Sequence, residues 1–189
     1  MKRAMELTAV ILPLAVLAAA LLAWLGALAS KNTPRNFLST LFPWPVVCTT
    51  RGCITTHDWG KQLAVSTKFS EVLKEDAPTV EQGLTSAVRR HLVTHSSLPD
   101  VATASDARRY REEVLHLKDE KLIQETAGLS LAEYDEEVIL PFLQQAALQQ
   151  QRNAESLEEL YRTLSEERAV VVLLFHYRWD KDTGTVAAR

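Results

Sequence analysis

The sequence predicts a mainly α-helical protein: an N-terminal transmembrane helix, then a helical body that a small antiparallel β-sheet closes. Three observations lead to this fold class. An apolar run, residues 7–29, follows a basic N-terminus, and roughly 20 apolar residues suffice to span a bilayer. Apolar side chains then recur at helical spacing over residues 56–164. β-branched runs at 46–55 and 169–179 flank that helical region.

The first predicted unit, residues 1–29, is a signal anchor. A basic start that leads into apolar sequence is typical of chains that enter the export machinery. Two fates remain open. Cleavage after Ala29 would release a secreted or periplasmic protein, but the run is longer than the about 7–15 residues of a cleavable signal core. The length favours a single-pass anchor in the cell membrane with a cytoplasmic N-terminus, and either fate places the rest of the chain outside the cytoplasm.

Residues 30–45 are predicted to be a tether, and residues 46–189 the extracytoplasmic domain. That domain opens with two β-prone arms on either side of a turn at Arg51, which indicates a hairpin. Cys48 and Cys53 are the only cysteines of the chain and lie on opposite arms. In an exported protein this arrangement predicts a disulfide. A metal site is the weaker alternative, because a structural zinc site needs four ligands.

Five helices and one strand, with a brief return strand that starts at Thr185, are predicted to complete the domain. Capping residues mark the helix starts, and proline or glycine marks several of the ends. The helices cover about residues 57–74, 80–95, 105–128, 130–153 and 156–164, and Pro141 is expected to kink or divide the fourth. Residues 169–179 follow as a single strand, which we expect to pair with the hairpin.

No complete catalytic or metal-binding motif is present in the sequence. His91 and His95 share a helix face, but Leu92 stands where the zinc-protease motif requires glutamate, and no third ligand is evident. A nucleophile elbow and a phosphate-binding glycine loop are both absent. The chain has 21 basic and 24 acidic side chains without a long basic cluster, which disfavours nucleic acid as a partner. We therefore expect no catalytic residue, no bound metal and no cofactor.

Two segments resemble a known family. Residues Ile54 to Trp59, reading ITTHDW after a short strand, are similar to the "V-N-G-x-x-I-T-x-x-D" opening of SurA-like periplasmic chaperones. Residues Gly128 to Tyr134, reading GLSLAEY, look like the family's "G-L-S-x-x-x-F/Y" helix start, and residues 138–143 resemble its leucine-rich continuation. The likeness covers roughly residues 46–165. It implies the helical N-terminal domain found in these chaperones and in parvulin-type foldase relatives.

The sequence also departs from this family. A parvulin isomerase domain commonly follows in the family, and the 25 residues after Leu164 are too few for one. The cysteine hairpin replaces the usual glycine-containing turn. The resemblance therefore implies a domain without isomerase catalysis.

Two functions follow as expectations. The first is a membrane-anchored, extracytoplasmic holdase that binds unfolded exported polypeptides, with Tyr110, Tyr134 and Phe142 as possible peptide-binding residues. The alternative is a non-catalytic subunit or assembly factor of one cell-envelope complex, in which the C-terminal strand adds to a partner's sheet. A degenerate peptidyl-prolyl isomerase is a third and weaker possibility.

Overall fold

The structure, a computed structural model, describes Leu21, residues 43–96 and residues 102–189. This part of the chain is mainly helical and contains two small antiparallel sheets. In chain order the elements are β1 (Pro45–Thr49), β2 (Gly52–Thr55), α1 (Thr56–Leu73), α2 (Val80–Thr94), α3 (Ala104–Arg109), a first π-helical turn (Tyr110–Val114), α4 (Glu120–Ala127), α5 (Leu131–Tyr134), a second π-helical turn (Asp135–Ile139), α6 (Leu140–Gln151), α7 (Leu157–Glu167), β3 (Val170–Val172), β4 (Tyr177–Asp180) and β5 (Thr185–Ala188).

Local sequence determines where most of the helices begin. Four of them start with a capping box, in which a hydroxyl accepts from the backbone N–H three residues ahead and that residue's side chain accepts from the cap's own N–H. The four boxes are Thr55 with Asp58, Thr79 with Gln82, Thr103 with Asp106, and Ser130 with Glu133. Helix α4 ends at Gly128, whose φ of 71° is left-handed, a conformation that glycine adopts without steric cost.

The disulfide predicted from the sequence is confirmed. Cys48 and Cys53 face each other across β1 and β2 and are bonded. The other neighbour of β1 is β3, with Val47 opposite Val172, so the three strands lie in the order β2-β1-β3. The hairpin and the C-terminal part of the chain are thus joined in one sheet.

The single strand predicted over residues 169–179 is wrong. The chain turns after β3, where the Tyr177 N–H donates to the Leu174 carbonyl over 3.1 Å. It then continues as β4, which pairs with β5 in a second sheet, with Trp179 opposite Val186. The turn allows the β4 backbone to form hydrogen bonds with β5, which one long strand beside β1 would not provide.

Two hydrophobic clusters stabilise the described body. The larger contains side chains from both sheets and from α1, α2, α6 and α7, among them Trp59, Leu84, Leu148 and Leu164. The smaller lies around Ile123, Ala127 and Leu129. Partly buried residues of α1, the loop before α4, α5 and the second π-helical turn pack against it: Val65, Phe69, Leu117, Leu131, Tyr134 and Val138.

The predicted fold class has to be corrected at its first element. Among the described residues, no helix is both long enough and apolar enough to cross a membrane. The longest, α1, has 18 residues and carries charged side chains such as Asp58, Lys61 and Lys68. Residues 7–29, to which the transmembrane helix was assigned, lie outside the described residues apart from Leu21.

Candidate functional site

Two helices with π-helical turns pack against each other. Helix α3 continues into the first turn, where the Leu115 N–H donates to the Tyr110 carbonyl five residues back over 3.1 Å. Helix α5 continues into the second turn, where Leu140 donates to Asp135 in the same way. A π-helical turn adds a residue to the helical turn and so changes the direction in which the following side chains point. Such turns are frequent at functional sites.

A buried ion pair connects the two π-helical turns. The Arg111 Nε donates to the Asp135 carboxylate over 2.7 Å, and both residues are buried. The same guanidinium donates to the Leu117 carbonyl over 2.7 Å and to Glu112 over 3.3 Å. The hydrogen bond with Asp135 is the main reason why the pKa of Arg111 is raised. The helices are therefore locked together at this point by a charge pair with several additional contacts.

An exposed apolar surface lies beside this ion pair. The rings of Tyr110 and Phe142 are in tilted contact with centroids 6.1 Å apart. Phe142 remains 52% exposed. Val114 and Leu115 follow Tyr110 by one helical turn and are exposed as well. We call these four residues the aromatic patch. Its side chains combine large apolar area with an aromatic edge, the chemistry that binds aliphatic and aromatic groups of a partner.

The exposure of Val114 contradicts the uninterrupted third helix predicted over residues 105–128. An uninterrupted helix would place Val114 and Leu122 on its apolar, buried face, and both are exposed. The first π-helical turn shifts the phase of the helix, and the chain then leaves the helix at His116, whose φ is 53°. Helix α4 begins only at Glu120. This break is what leaves Val114 and Leu115 at the surface.

The three predicted peptide-binding residues are only partly brought together. Tyr110 and Phe142 are in contact within the aromatic patch. Tyr134 packs instead against the smaller hydrophobic cluster around Ile123, and burial raises the pKa of its hydroxyl. Tyr134 therefore has the surroundings of a packing residue.

A polar groove of about 360 Å³ lies on another face, between β2, α1, α2 and the second π-helical turn. The Glu137 carboxylate is its central charge. It accepts from Lys61 over 2.7 Å and pairs with Arg90. Burial opposes ionisation, but Lys61 and Arg90 together lower the pKa of Glu137. The carboxylate is thus neutralised by groups of the protein itself, which makes the groove a weak candidate for a charged ligand.

Arg90 also compensates for the missing N–H of Pro141. In the second π-helical turn the Leu140 N–H donates to Asp135, and proline cannot donate to either of the next two carbonyls. The Arg90 guanidinium donates to both, at 3.2 Å to Glu137 and 3.3 Å to Glu136. The helix consequently continues through Pro141, so the chain is not divided there, which was one of the two outcomes that the sequence predicted.

The two histidines considered as metal ligands have other partners. The His91 Nε2 is hydrogen-bonded to the Thr49 hydroxyl at 3.1 Å, and the His95 ring stacks on His91 at 4.1 Å between centroids. Burial, followed by the charges of His95 and Arg168, lowers the pKa of His91 to about 4. In the part of the chain that the structure describes, no three His, Cys, Asp or Glu side chains are grouped to hold a metal ion.

Sequence reasoning missed the polar residues that organise these sites: Arg111, Asp135, Arg90 and Glu137. All four pair over long sequence separations, 24 residues for Arg111 with Asp135 and 47 for Arg90 with Glu137. No sequence pattern distinguishes any of them from an ordinary charged residue on a helix surface. One local signal was available, because Pro141 within a helical pattern leaves carbonyls that some donor must satisfy.

Comparison with known proteins yields no match to any protein-family model, curated protein or solved structure. The SurA-like resemblance therefore stays a prediction.

Proposed function

We propose that this domain acts outside the cytoplasm as a holdase, which binds apolar segments of unfolded exported polypeptides at the aromatic patch and catalyses no reaction on them. The observation that carries the proposal is the contact of the exposed Phe142 ring with the half-buried ring of Tyr110. Large apolar side chains that remain exposed together on a soluble surface mark interaction sites.

The geometry beneath the patch supports this role. The ion pair between Arg111 and Asp135 and the two π-helical turns hold Tyr110 and Phe142 on packed helices. A fixed aromatic surface binds with a small loss of conformational entropy. Val114 and Leu115 extend the exposed apolar area, so the patch suits sequences that are apolar and otherwise variable.

The disulfide supports the assignment of compartment. Disulfides persist in oxidising environments and are rare in the cytosol. The bond between Cys48 and Cys53 is consistent with a domain that works after export.

The experiment is a comparison of two phenylalanines in the full-length protein. Phe142 and Phe175 are 52% and 51% exposed, and they lie on different parts of the fold. The protein is added at stoichiometric ratio to an unfolded client, and light scattering reports aggregation of that client. We expect Phe142→Ser to weaken suppression of aggregation by about fivefold or more, since an exposed aromatic anchor contributes at least 1 kcal/mol to binding.

Phe175→Ser is the matched control and should suppress aggregation like the wild type. Circular dichroism and thermal unfolding confirm that both variants are folded. Equal loss of aggregation suppression in both variants would show nonspecific hydrophobic binding. Absence of suppression by the folded wild type would refute the holdase role.

The exposed side chains of the C-terminal region favour the alternative role, a non-catalytic subunit or assembly factor of one envelope complex. Val171 on β3 and Phe175 in the turn after it are both exposed. Crosslinking in native membranes, followed by capture and identification of neighbours, separates the two roles. Many different exported proteins at low occupancy would support the holdase. One partner at fixed stoichiometry, lost in Phe175→Ser and retained in Phe142→Ser, would support the subunit.

A further inference from the structure

Strand β2 lies at an open edge of the three-stranded sheet. The strand order is β2-β1-β3, so β2 has a partner strand on one side only. Its residues Gly52, Cys53 and Ile54 all line the polar groove of about 360 Å³. Successive residues of a strand direct their side chains to opposite faces of a sheet, so these three line one groove along their shared edge. The groove therefore runs beside the unpaired edge of β2.

The alternating hydrogen bonds of the sheet direct the backbone of Cys53 towards this groove. The Leu173 N–H donates to the Val46 carbonyl over 2.9 Å, so the next hydrogen-bonded pair of β1 and β3 is Cys48 with Val171. The backbone groups of Cys48 thus point to β3 and away from β2. Cys48 and Cys53 then form a non-hydrogen-bonded pair, and their Cα atoms, 4.0 Å apart, have the close approach typical of one. The N–H and carbonyl of Cys53 consequently face the open edge.

These two backbone groups of Cys53 are available to a ligand. Thr55, the next outward-facing residue of β2, donates its N–H to the Asp58 carboxylate over 3.1 Å. Among the described residues, neither the N–H nor the carbonyl of Cys53 has such a partner beyond the strands. A donor and an acceptor side by side on an extended residue match the acceptor and donor of another extended chain, which is the basis of strand addition.

The charged side chains around the groove are compensated within the protein. Lys61 and Arg90 both pair with the Glu137 carboxylate. Asp58 is held in the capping box, where it accepts from the Thr55 hydroxyl over 2.7 Å. A charged ligand would lose its hydration without gaining an unpaired counterion here. The groove therefore favours an uncharged ligand that binds to the backbone of β2.

We propose that an extended, uncharged segment of a partner protein lies in this groove and adds to the sheet beside β2. The residue opposite Cys53 donates its N–H to the Cys53 carbonyl and accepts from the Cys53 N–H through its own carbonyl. The side chains on either side of that residue share the sheet face of Gly52 and Ile54, towards Ala87 on the groove wall. The site is separate from the aromatic patch, and it recognises backbone where the patch recognises apolar side chains.

The first test follows backbone amide protons of the isotope-labelled full-length protein by NMR while an uncharged peptide of alternating threonine and valine is added. At saturating peptide, exchange of the Cys53 amide proton with solvent should slow by about tenfold or more, the effect of one to two hydrogen bonds. The Ile54 N–H belongs to the alternate pair, opposite Val47, and points to β1. It is the internal control, and its exchange rate should not change.

The second test compares affinities by fluorescence anisotropy. The same peptide with N-methyl groups on its backbone should bind at least tenfold more weakly, because it cannot donate to the Cys53 carbonyl. Thr94 is exposed and lines the groove, whereas Ala64 is exposed on α1 and is not among the lining residues. Thr94→Trp fills part of the groove and should weaken binding by a similar factor. Ala64→Trp is the matched control and should bind like the wild type, and circular dichroism checks that both variants are folded.

Four results would overturn the proposal: no binding of the peptide, equal affinity of the methylated and unmethylated peptides, unchanged exchange of the Cys53 amide proton, or equal affinity of the two tryptophan variants. A peptide with glutamate in place of threonine should bind several-fold more weakly, and tighter binding of that peptide would contradict an uncharged ligand. Protection of the Cys53 amide that rises with protein concentration in the absence of peptide would replace the partner protein by a second copy of this chain.

Discussion

Arg111 shows how one side chain determines the geometry of the candidate site. Its guanidinium bonds the second π-helical turn through Asp135 and its own loop through the Leu117 carbonyl. Buried ion pairs contribute little net stability compared with well-packed apolar residues, but removal of one partner leaves an uncompensated charge. The pair therefore fixes the orientation of the two π-helical turns more than it stabilises the fold.

Changing one member of this pair should be more harmful than changing both. We expect Asp135→Leu to lower the free energy of unfolding by about 3–5 kcal/mol, and the double variant Arg111→Met with Asp135→Leu to recover most of that loss. Urea unfolding followed by circular dichroism measures both. The exposed pair of Lys121 with Glu125 is the control, and Glu125→Leu should change stability by less than about 0.5 kcal/mol. Equal stability of Asp135→Leu and the control would contradict a buried pair.

His91 makes stability depend on pH in a defined window. Its pKa in the folded protein is about 4, below the ordinary value of 6.5, because the ring is buried and lies near the charges of His95 and Arg168. Between these two pH values the unfolded chain takes up a proton that the folded chain does not. Stability is therefore lost as the pH falls from 6.5 towards 4.

The measurement is the pH dependence of urea unfolding for the wild type and for His91→Gln. We expect the variant to lose less stability than the wild type over this window, since it has no ring to protonate. The exposed His57→Gln should retain the full wild-type dependence. A His91→Gln profile that parallels the wild type would show that other groups account for the acid sensitivity.

Residues with local partners could be predicted from the sequence, and residues with distant partners could not. The disulfide follows from the five-residue separation of Cys48 and Cys53, and the capping box of Ser130 with Glu133 from a three-residue spacing. Arg111 contacts Asp135 only because the helices that contain the two π-helical turns pack against each other. Phe142 was selected as a possible binding residue, but its contact with Tyr110 depends on that same crossing.

At the level of elements, the sequence predicted the bounds of the helices better than it predicted π-helical turns or breaks within strands. Helices α1 and α2 lie within two residues of the predicted bounds, because caps and breakers are read from adjacent residues. The π-helical turn at Tyr110–Val114 and the turn between β3 and β4 were not foreseen. Both depend on how distant elements pack, and the first of them creates the aromatic patch.

The second π-helical turn depends on Arg90 because of Pro141. We expect Arg90→Ala to lower the free energy of unfolding by about 2–3 kcal/mol, since two backbone carbonyls and the Glu137 carboxylate lose a donor. In a Pro141→Ala background an N–H becomes available to the Glu137 carbonyl. The same Arg90→Ala change should then cost about 1 kcal/mol less.

A double-mutant cycle of these substitutions, measured by urea unfolding, gives the coupling directly. Additive effects of Arg90→Ala and Pro141→Ala would show that the guanidinium does not substitute for the missing N–H. Arg162→Ala, at an exposed position of α7, is the control and should show no coupling to Pro141→Ala.

At the scale of the whole molecule, the two ends of the described chain are joined in one core. Strand β1 near the start pairs with β3 near the end. The C-terminal region also contributes Val172, Leu174, Tyr177 and Val186 to the larger hydrophobic cluster. The C-terminal strands are thus part of the body, and any partner-binding role they have is confined to exposed side chains such as Val171 and Phe175.

This arrangement predicts the result of a truncation. Removal of residues 169–189 deletes the four buried side chains named above, and each contributes about 1.5–3 kcal/mol when fully buried. Their sum is comparable with the total stability of a small domain, about 5–15 kcal/mol. We expect the truncated chain to lose its cooperative thermal transition, whereas Val171→Ser and Phe175→Ser retain it. Circular dichroism through a thermal ramp measures all three. A truncated chain that unfolds cooperatively would show that the helices form an independent unit, and partner binding could then be studied by deletion instead of point substitution.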